Sequence, residues 1–224
     1  MINSTLLFQI RKDLDYWETP IPWMYLDSVG LVTVGCGTML PNSDAAAAIP
    51  FYHEGNGAAA SAVEVGAAWD SLHAESATQK AAVSKDKFGA QHYKSSSDLR
   101  ITGQTSSDLR DQHIDGDYNQ LCLIYAHFDL LPDAAKLALF DMIYNLGAGR
   151  AAVAAHAATK GHKATHARKA TGLRAFASMN LAIRSGDWES AAASCSRKGI
   201  PVERNAMTAR QFRSCARSRQ DVHI

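Results

Sequence analysis

The stretch "YWETPIPW", Tyr16 to Trp23, does more than any other to limit what this chain can fold into. Ahead of it, Leu7, Ile10, Leu14 and Trp17 recur at the three-four spacing of one buried helical face, with Ser4 or Thr5 placed to cap it. Pro20 and Pro22 cannot continue that helix, because each lacks an N–H donor and restrains the residue before it. Beyond them the period changes. β-Branched and aromatic residues from Trp23 to Cys36 flank "DSVG", which predicts two short strands joined by a tight turn. A helix therefore brings Glu18 to its last turn or just past it, and a hairpin follows at once.

The rest of the chain favours helices. "LPDAAKLALFDMIYNLGAG" is the clearest: Pro132 takes the first helical position, Leu139, Met142, Ile143 and Leu146 line one side, and Gly147 supplies a left-handed stop. Ser106 or Ser107 could cap a helix carrying Leu121, Ile124, Tyr125 and Phe128. "FASMNLAIRSGDWESAAASC" predicts a helix, a Gly-Asp turn and a second helix near Trp188, and "ERNAMTARQFRSCARSRQ" a final basic helix. Residues 41–100 are Ala-, Ser- and Gly-rich, with one helical piece near "SAVEVGAAWDSLHAES", and are expected to form an insertion. The fold class expected is α+β, mainly α, over 1–224 as one catalytic domain: helix and hairpin in 1–40, insertion in 41–100, helical lobe in 101–224.

Composition removes several functions. A net charge of +1 over 224 residues does not point to nucleic acid or an anionic membrane, and no apolar run approaches the ~20 residues that span a bilayer. The N-terminus lacks the basic leader and apolar core of a secretory signal. Cys36, Cys122, Cys195 and Cys215 are scattered without Cys-x-x-Cys spacing, which argues against structural zinc; a Cys195–Cys215 bridge stays open. His162 and His166 are four apart, but no Glu follows the first and lysines surround the pair, so no metal is expected. The basic run around "RKATGLR" could meet an anionic wall polymer or simply be a solvated face. No cofactor is called for.

Glu18 and Asp27 are the chemically interesting pair. Cleaving a glycosidic bond needs a proton for the leaving oxygen and a second carboxylate to steer water or support developing positive charge. A carboxyl at a helix C-terminus, near the negative end of the helix dipole and beside Trp17 and Trp23, is placed to remain protonated. Asp27, at a turn, could stay ionised, and the Thr33 hydroxyl could hold a water. Gly35 and Gly37 would let a polymer approach the backbone. The same two carboxylates could equally be solvated surface charge.

"ETPIPWMYLDSVGLVTVGCG" resembles the active-site segment of the phage-type lysozymes, glycoside hydrolase family 24. In that family a Glu is followed by an Asp nine residues on and a Thr six after that, with a Tyr two before the Asp and a Gly-x-Gly behind the Thr. Glu18, Tyr25, Asp27, Thr33, Gly35 and Gly37 fit without a gap. "LPDAAKLALFDMIYNLGAG", "GDWESAAAS" and "VERNAMTARQFRSC" are similar to the family's core and C-terminal helices, so that about half the chain is covered. Thr38 stands where the family commonly has His.

The resemblance implies a bilobal lysozyme-like fold and hydrolysis of the β-1,4 bond between N-acetylmuramic acid and N-acetylglucosamine in peptidoglycan, with inversion. Glu18 would be the acid, with Asp27 and Thr33 positioning water. It also implies that Tyr144 and Asn145 contact substrate and that Arg204 reaches the catalytic Glu. "IPFYHEGNGAAASAVEVGAAWDSLH" resembles extensions in lysozyme-like domains of type VI secretion effectors, in which case Met1 would begin a domain of a longer protein. A monomer is expected, made in the cytoplasm and acting on peptidoglycan in a target cell's periplasm or wall, either as an injected antibacterial effector with a cognate immunity protein or as a phage endolysin. Rival readings are a catalytically silent wall-binding module, a lytic transglycosylase and an enzyme for another amino-sugar polymer.

Overall fold

The computed structural model describes residues 2–82, 88–153 and 168–220; His162 and His166, and most of the Ala- and Lys-rich run around them, lie outside the described residues. The fold is mixed α+β and mainly helical. The chain divides into two compact units, one made of Met1–Leu14 with Ile114–Ile224 and the other of Asp15–His113.

In Asp15–His113 a three-stranded antiparallel sheet is built from β1 (Ile21–Leu26), β2 (Val32–Gly35) and β3 (Thr38–Met39), in that order. The turn between β1 and β2 is the expected "DSVG". Gly30 closes it at φ +79, and a Cβ there would lie 2.6 Å from the Ser76 carbonyl oxygen, so only glycine fits without a shift. Met24, Leu26, Val32 and Val34 of the hairpin are buried. They share a core with Phe51, Val65, Trp69, Leu72, Tyr93 and Leu99.

Residues 41–100 thus supply most of the hairpin's hydrophobic cover. They contain α2 (Ser43–Ala47), β4 (Tyr52–His53), α3 (Ala62–Ala81), a 3-10 turn at Ala90–Ser95 and β5 (Leu99–Arg100), with β4 and β5 paired antiparallel. α3 starts with a full capping box: Ser61 and Glu64 each satisfy the other's backbone N–H. The Trp69 indole donates to the Leu40 carbonyl at 2.9 Å, tying α3 to the end of the sheet.

The other unit gathers α1 (Ser4–Trp17), the latter part of α4 (Gly103–Ile124), α5 (Asp133–Leu146), α6 (Ala177–Ser185), α7 (Trp188–Ala193) and α8 (Val202–Gln220). The unit boundaries fall inside α1 and α4. Leu6, Ile10 and Leu14 form the buried stripe of α1, with Leu6 taking the place expected for Leu7. Its cap is Asn3, whose Oδ1 accepts from the Leu6 N–H at 2.8 Å, so Ser4 is already helical. α4 likewise begins before the expected serines. Thr102 Oγ1 accepts from the Thr105 N–H at 3.0 Å, and Ser106 is buried within the helix.

α5 runs almost as expected, with Pro132 as its cap residue and Gly147 ending it at φ +67. Leu139, Met142 and Ile143 are buried beside Phe140, Phe212 and Trp188. Trp69 and Trp188 are both core residues. All four cysteines are free, which removes the Cys195–Cys215 bridge.

Asp117 of α4 is buried, and burial pushes its carboxyl up to about 7. Between about pH 4 and pH 7 the unfolded chain releases this proton while the folded chain keeps it, so folding stability falls as pH rises through that window. Asp117→Asn is therefore expected to stabilise the protein at pH 8 by on the order of 2–4 kcal/mol, and to leave stability near pH 4 unchanged. Urea unfolding at the two pH values measures this; an equal effect at both would exclude a buried titrating carboxyl.

Candidate active site

Glu18, Tyr25, Asp27 and Thr33 all lie in the unit Asp15–His113. Glu18 is the first residue beyond α1, half-buried, as the proline pair dictates. Tyr25 and Thr33 are directly paired across β1 and β2, so their side chains share one face of the sheet. Leu26 and Val32, the next pair, point to the opposite, core face.

Tyr25 reports the electrostatics of this face. Burial pushes its phenol up to about 12, and the negative charges of Asp27 and then Glu18 act in the same direction. One phenol therefore feels both carboxylates that the spacing singled out. The imidazole of His113, half-buried on α4, is pushed below its ordinary range by burial, while the charge of Glu18 opposes that shift. Nothing local in the sequence connects His113 to a residue 95 positions earlier, and sequence reasoning misses it. Cys36, just beyond β2, is buried and its thiol pushed up chiefly by that burial, with its sulfur 3.7 Å from Ser106 Oγ.

Asp27 has a structural task as well. Its Oδ1 accepts from the N–H groups of Val29 at 2.8 Å and Leu31 at 2.9 Å, so the carboxylate organises the turn it begins. Its Oδ2 accepts no hydrogen bond among the described residues. Thr33 is only 3% exposed and donates its hydroxyl proton to the Leu31 carbonyl at 3.0 Å. Its oxygen therefore has acceptor capacity to offer, while its proton is already used.

The Trp23 indole donates to the Ala90 carbonyl at 2.8 Å, and its ring sits 5.5 Å from the Lys94 ammonium and 5.4 Å from the Arg100 guanidinium. One expectation for this face needs correction. Gly35 does not expose backbone, since a Cβ there would meet Ser106 Oγ at 3.2 Å. Gly37 does, with open space around its Cα. A groove of about 480 Å³ adjoins it, lined by Thr38, Met39, Ile49, Thr105, Asp108 and Gln112 among others. The Thr38 hydroxyl is buried there without a hydrogen-bond partner among the described residues.

Tyr144, Asn145 and Arg204 belong to the other unit. Tyr144 and Asn145 occupy the last turn of α5, both half-buried. Arg204 of α8 is buried, and its Nε donates to Asp141 Oδ1 at 2.7 Å. The other oxygen of Asp141 accepts from Arg197 at 2.6 Å and from Thr208 at 2.8 Å. No sequence pattern announces this buried Arg-Asp-Arg cluster, whose members lie 56 and 63 positions from the aspartate. His53 bridges Asp98 at 3.0 Å and Glu64 at 3.5 Å near β4. Among the described residues no group of His, Cys, Asp and Glu is arranged to hold a metal ion. No helix of the described residues is long and apolar enough to cross a membrane.

No family model and no curated protein sequence matches this chain.

Proposed function

We propose that the chain is a peptidoglycan hydrolase of the muramidase type, cutting the β-1,4 bond between N-acetylmuramic acid and N-acetylglucosamine. The observation that carries this reading is the single tyrosine, Tyr25, that feels both Glu18 and Asp27, on the hairpin face it shares with Thr33. Spacing that resembles the phage-type lysozymes supports it from the sequence side.

In this proposal Glu18 gives its proton to the glycosidic oxygen as the bond to the anomeric carbon breaks. A water held against Thr33 Oγ1 attacks that carbon from the other side and passes its proton to Asp27 Oδ2, the oxygen that the turn leaves unused. The open backbone at Gly37 lets a glycan strand come close. The product anomer is expected to be inverted, because water rather than a carboxylate attacks. NMR of the first-formed reducing end reads this, and a retained β-anomer would overturn the assignment of Asp27 as base.

The cellular role proposed with it is antibacterial: an effector delivered into a competitor's periplasm, restrained in the producer by an immunity protein, or a phage endolysin acting on the wall. The first test is clearing of purified sacculi by the wild type and by Glu18→Gln. Clearing that disappears in the variant supports the hydrolase; a wild type that binds sacculi and never clears them sinks it.

That second outcome describes a wall-binding module. One observation favours it: Asp27 and Thr33 both have turn-and-strand hydrogen bonds sufficient to explain their presence. The same commitment of Asp27 suits a lytic transglycosylase, in which a single acid residue serves both steps.

A further inference from the structure

The two units differ sharply in charge. Asp15–His113 carries twelve acidic and six basic side chains, net −6, whereas the rest of the chain carries ten acidic and seventeen basic, net +7. Much of that excess lies in residues 142–186, which hold seven lysines and arginines and no aspartate or glutamate. A near-neutral total hides this polarity.

The described parts of that stretch are tied together by backbone bonds. Val153 and Arg168 exchange N–H donors at 2.9 Å in each direction, the Thr171 N–H donates to the Arg150 carbonyl at 3.1 Å, and the Leu173 N–H donates to the Gly147 carbonyl at 2.9 Å. Beside this ribbon and α6 lies an open groove of about 460 Å³, floored by small residues such as Ala151, Ala170 and Ala177. Arg174 and Arg184 both line it.

Neither arginine has an acidic partner among the described residues. Arg184 donates to the Ile124 carbonyl at 3.3 Å, a neutral acceptor. Asn180, which also lines the groove, is held by Tyr125 and the Leu173 carbonyl, which fixes the groove wall. Both guanidiniums also oppose the burial that raises the Tyr125 phenol, so both charges act on the same spot. Two cations lining one groove with no acidic partner among the described residues suit an anion.

We propose that this groove binds the carboxylates of the peptidoglycan stem peptide. The assignment of the stem peptide as occupant rests on the hydrolase reading; the anion-binding groove does not. Planar carboxylates match the guanidinium fork, and the alanine floor leaves room for a peptide backbone and its methyl side chains.

Isothermal titration with the free stem tetrapeptide, inorganic phosphate and chitopentaose tests it. The tetrapeptide is expected to bind the wild type and to weaken as salt rises from about 50 mM to about 300 mM. Arg174→Gln/Arg184→Gln is expected to lower that affinity about tenfold or more, with chitopentaose binding and the thermal midpoint unchanged. Should the double variant not fold, Arg174→Gln alone and the wild-type salt dependence decide. Equal tetrapeptide affinity in wild type and variant overturns the proposal. Phosphate binding that matches the tetrapeptide and vanishes with the arginines would overturn the stem-peptide assignment in favour of a phosphate polymer. Failure to clear sacculi with arginine-dependent peptide binding intact would overturn the hydrolase reading alone.

Discussion

Asp141→Ala is expected to destabilise the protein by about 3–5 kcal/mol, the cost of leaving buried charge without its counter-ion. Asp141 is 4% exposed, and the side chains it serves, Arg197 and Arg204, are 0% and 5% exposed. Arg197 also donates to the Asp141 carbonyl at 3.1 Å, and Thr208 donates to the carboxylate, so one side chain knits α5 to α8 and to the loop before it. Removing it takes the carboxylate away from two buried guanidiniums. Asp141→Asn keeps the shape and some hydrogen bonds but not the charge, and is expected to fall between the wild type and the alanine variant. Urea denaturation measures the series. A loss below about 1 kcal/mol for Asp141→Ala would mean that water reaches the arginines, contrary to their burial.

Glu18→Gln is expected to lower the rate of sacculus clearing by about 10³-fold while leaving the unfolding midpoint within a degree or two. The residue lies beyond the end of α1 and is half-exposed, and in the proposed mechanism its replacement takes away the proton donor. Asp27→Asn is the informative companion. The amide oxygen it introduces still accepts from the Val29 and Leu31 N–H groups, preserving the turn, but it cannot take a proton from water. If Asp27 is the base, this substitution costs clearing without costing stability. If Asp27 only shapes the turn, as in a single-acid transglycosylase, clearing survives the substitution. The pair thus separates two chemistries that the hydrogen bonds of Asp27 alone leave equally furnished.

What the chain declares locally it declares well. The helix that stops ahead of Pro20, the "DSVG" hairpin, and the helix closed by Gly147 rest on periods and breakers within a dozen residues, and all three form where expected. Cap positions slip by a residue or more, because Asn3 and Thr102 compete with the neighbouring Ser4, Ser106 and Ser107, and local composition does not rank them. The larger difference is the segment 41–100. Its alanine- and glycine-rich composition suggests an appendage, yet Phe51, Val65, Trp69, Leu72 and Tyr93 form the hairpin's own core.

The candidate site divides the same way. Glu18, Tyr25, Asp27 and Thr33 fall within sixteen residues and can be read as one motif. His113 and the Asp141 cluster depend on pairings across the chain, where an isolated charge looks like surface until its partner is known. Trp23 likewise depends on distant partners: its ring lies against two cations, Lys94 and Arg100, that its sequence neighbours do not announce.

Mass spectrometry of the muropeptides released from purified sacculi reads, in one measurement, whether Glu18 protonates a glycosidic oxygen and whether water, not an internal hydroxyl, completes the cut. The expected result is fragments ending in reducing N-acetylmuramic acid, carrying one added water, released by the wild type and not by Glu18→Gln. Anhydro-muramic ends, or sacculi that stay intact with wild-type protein bound to them, would contradict it.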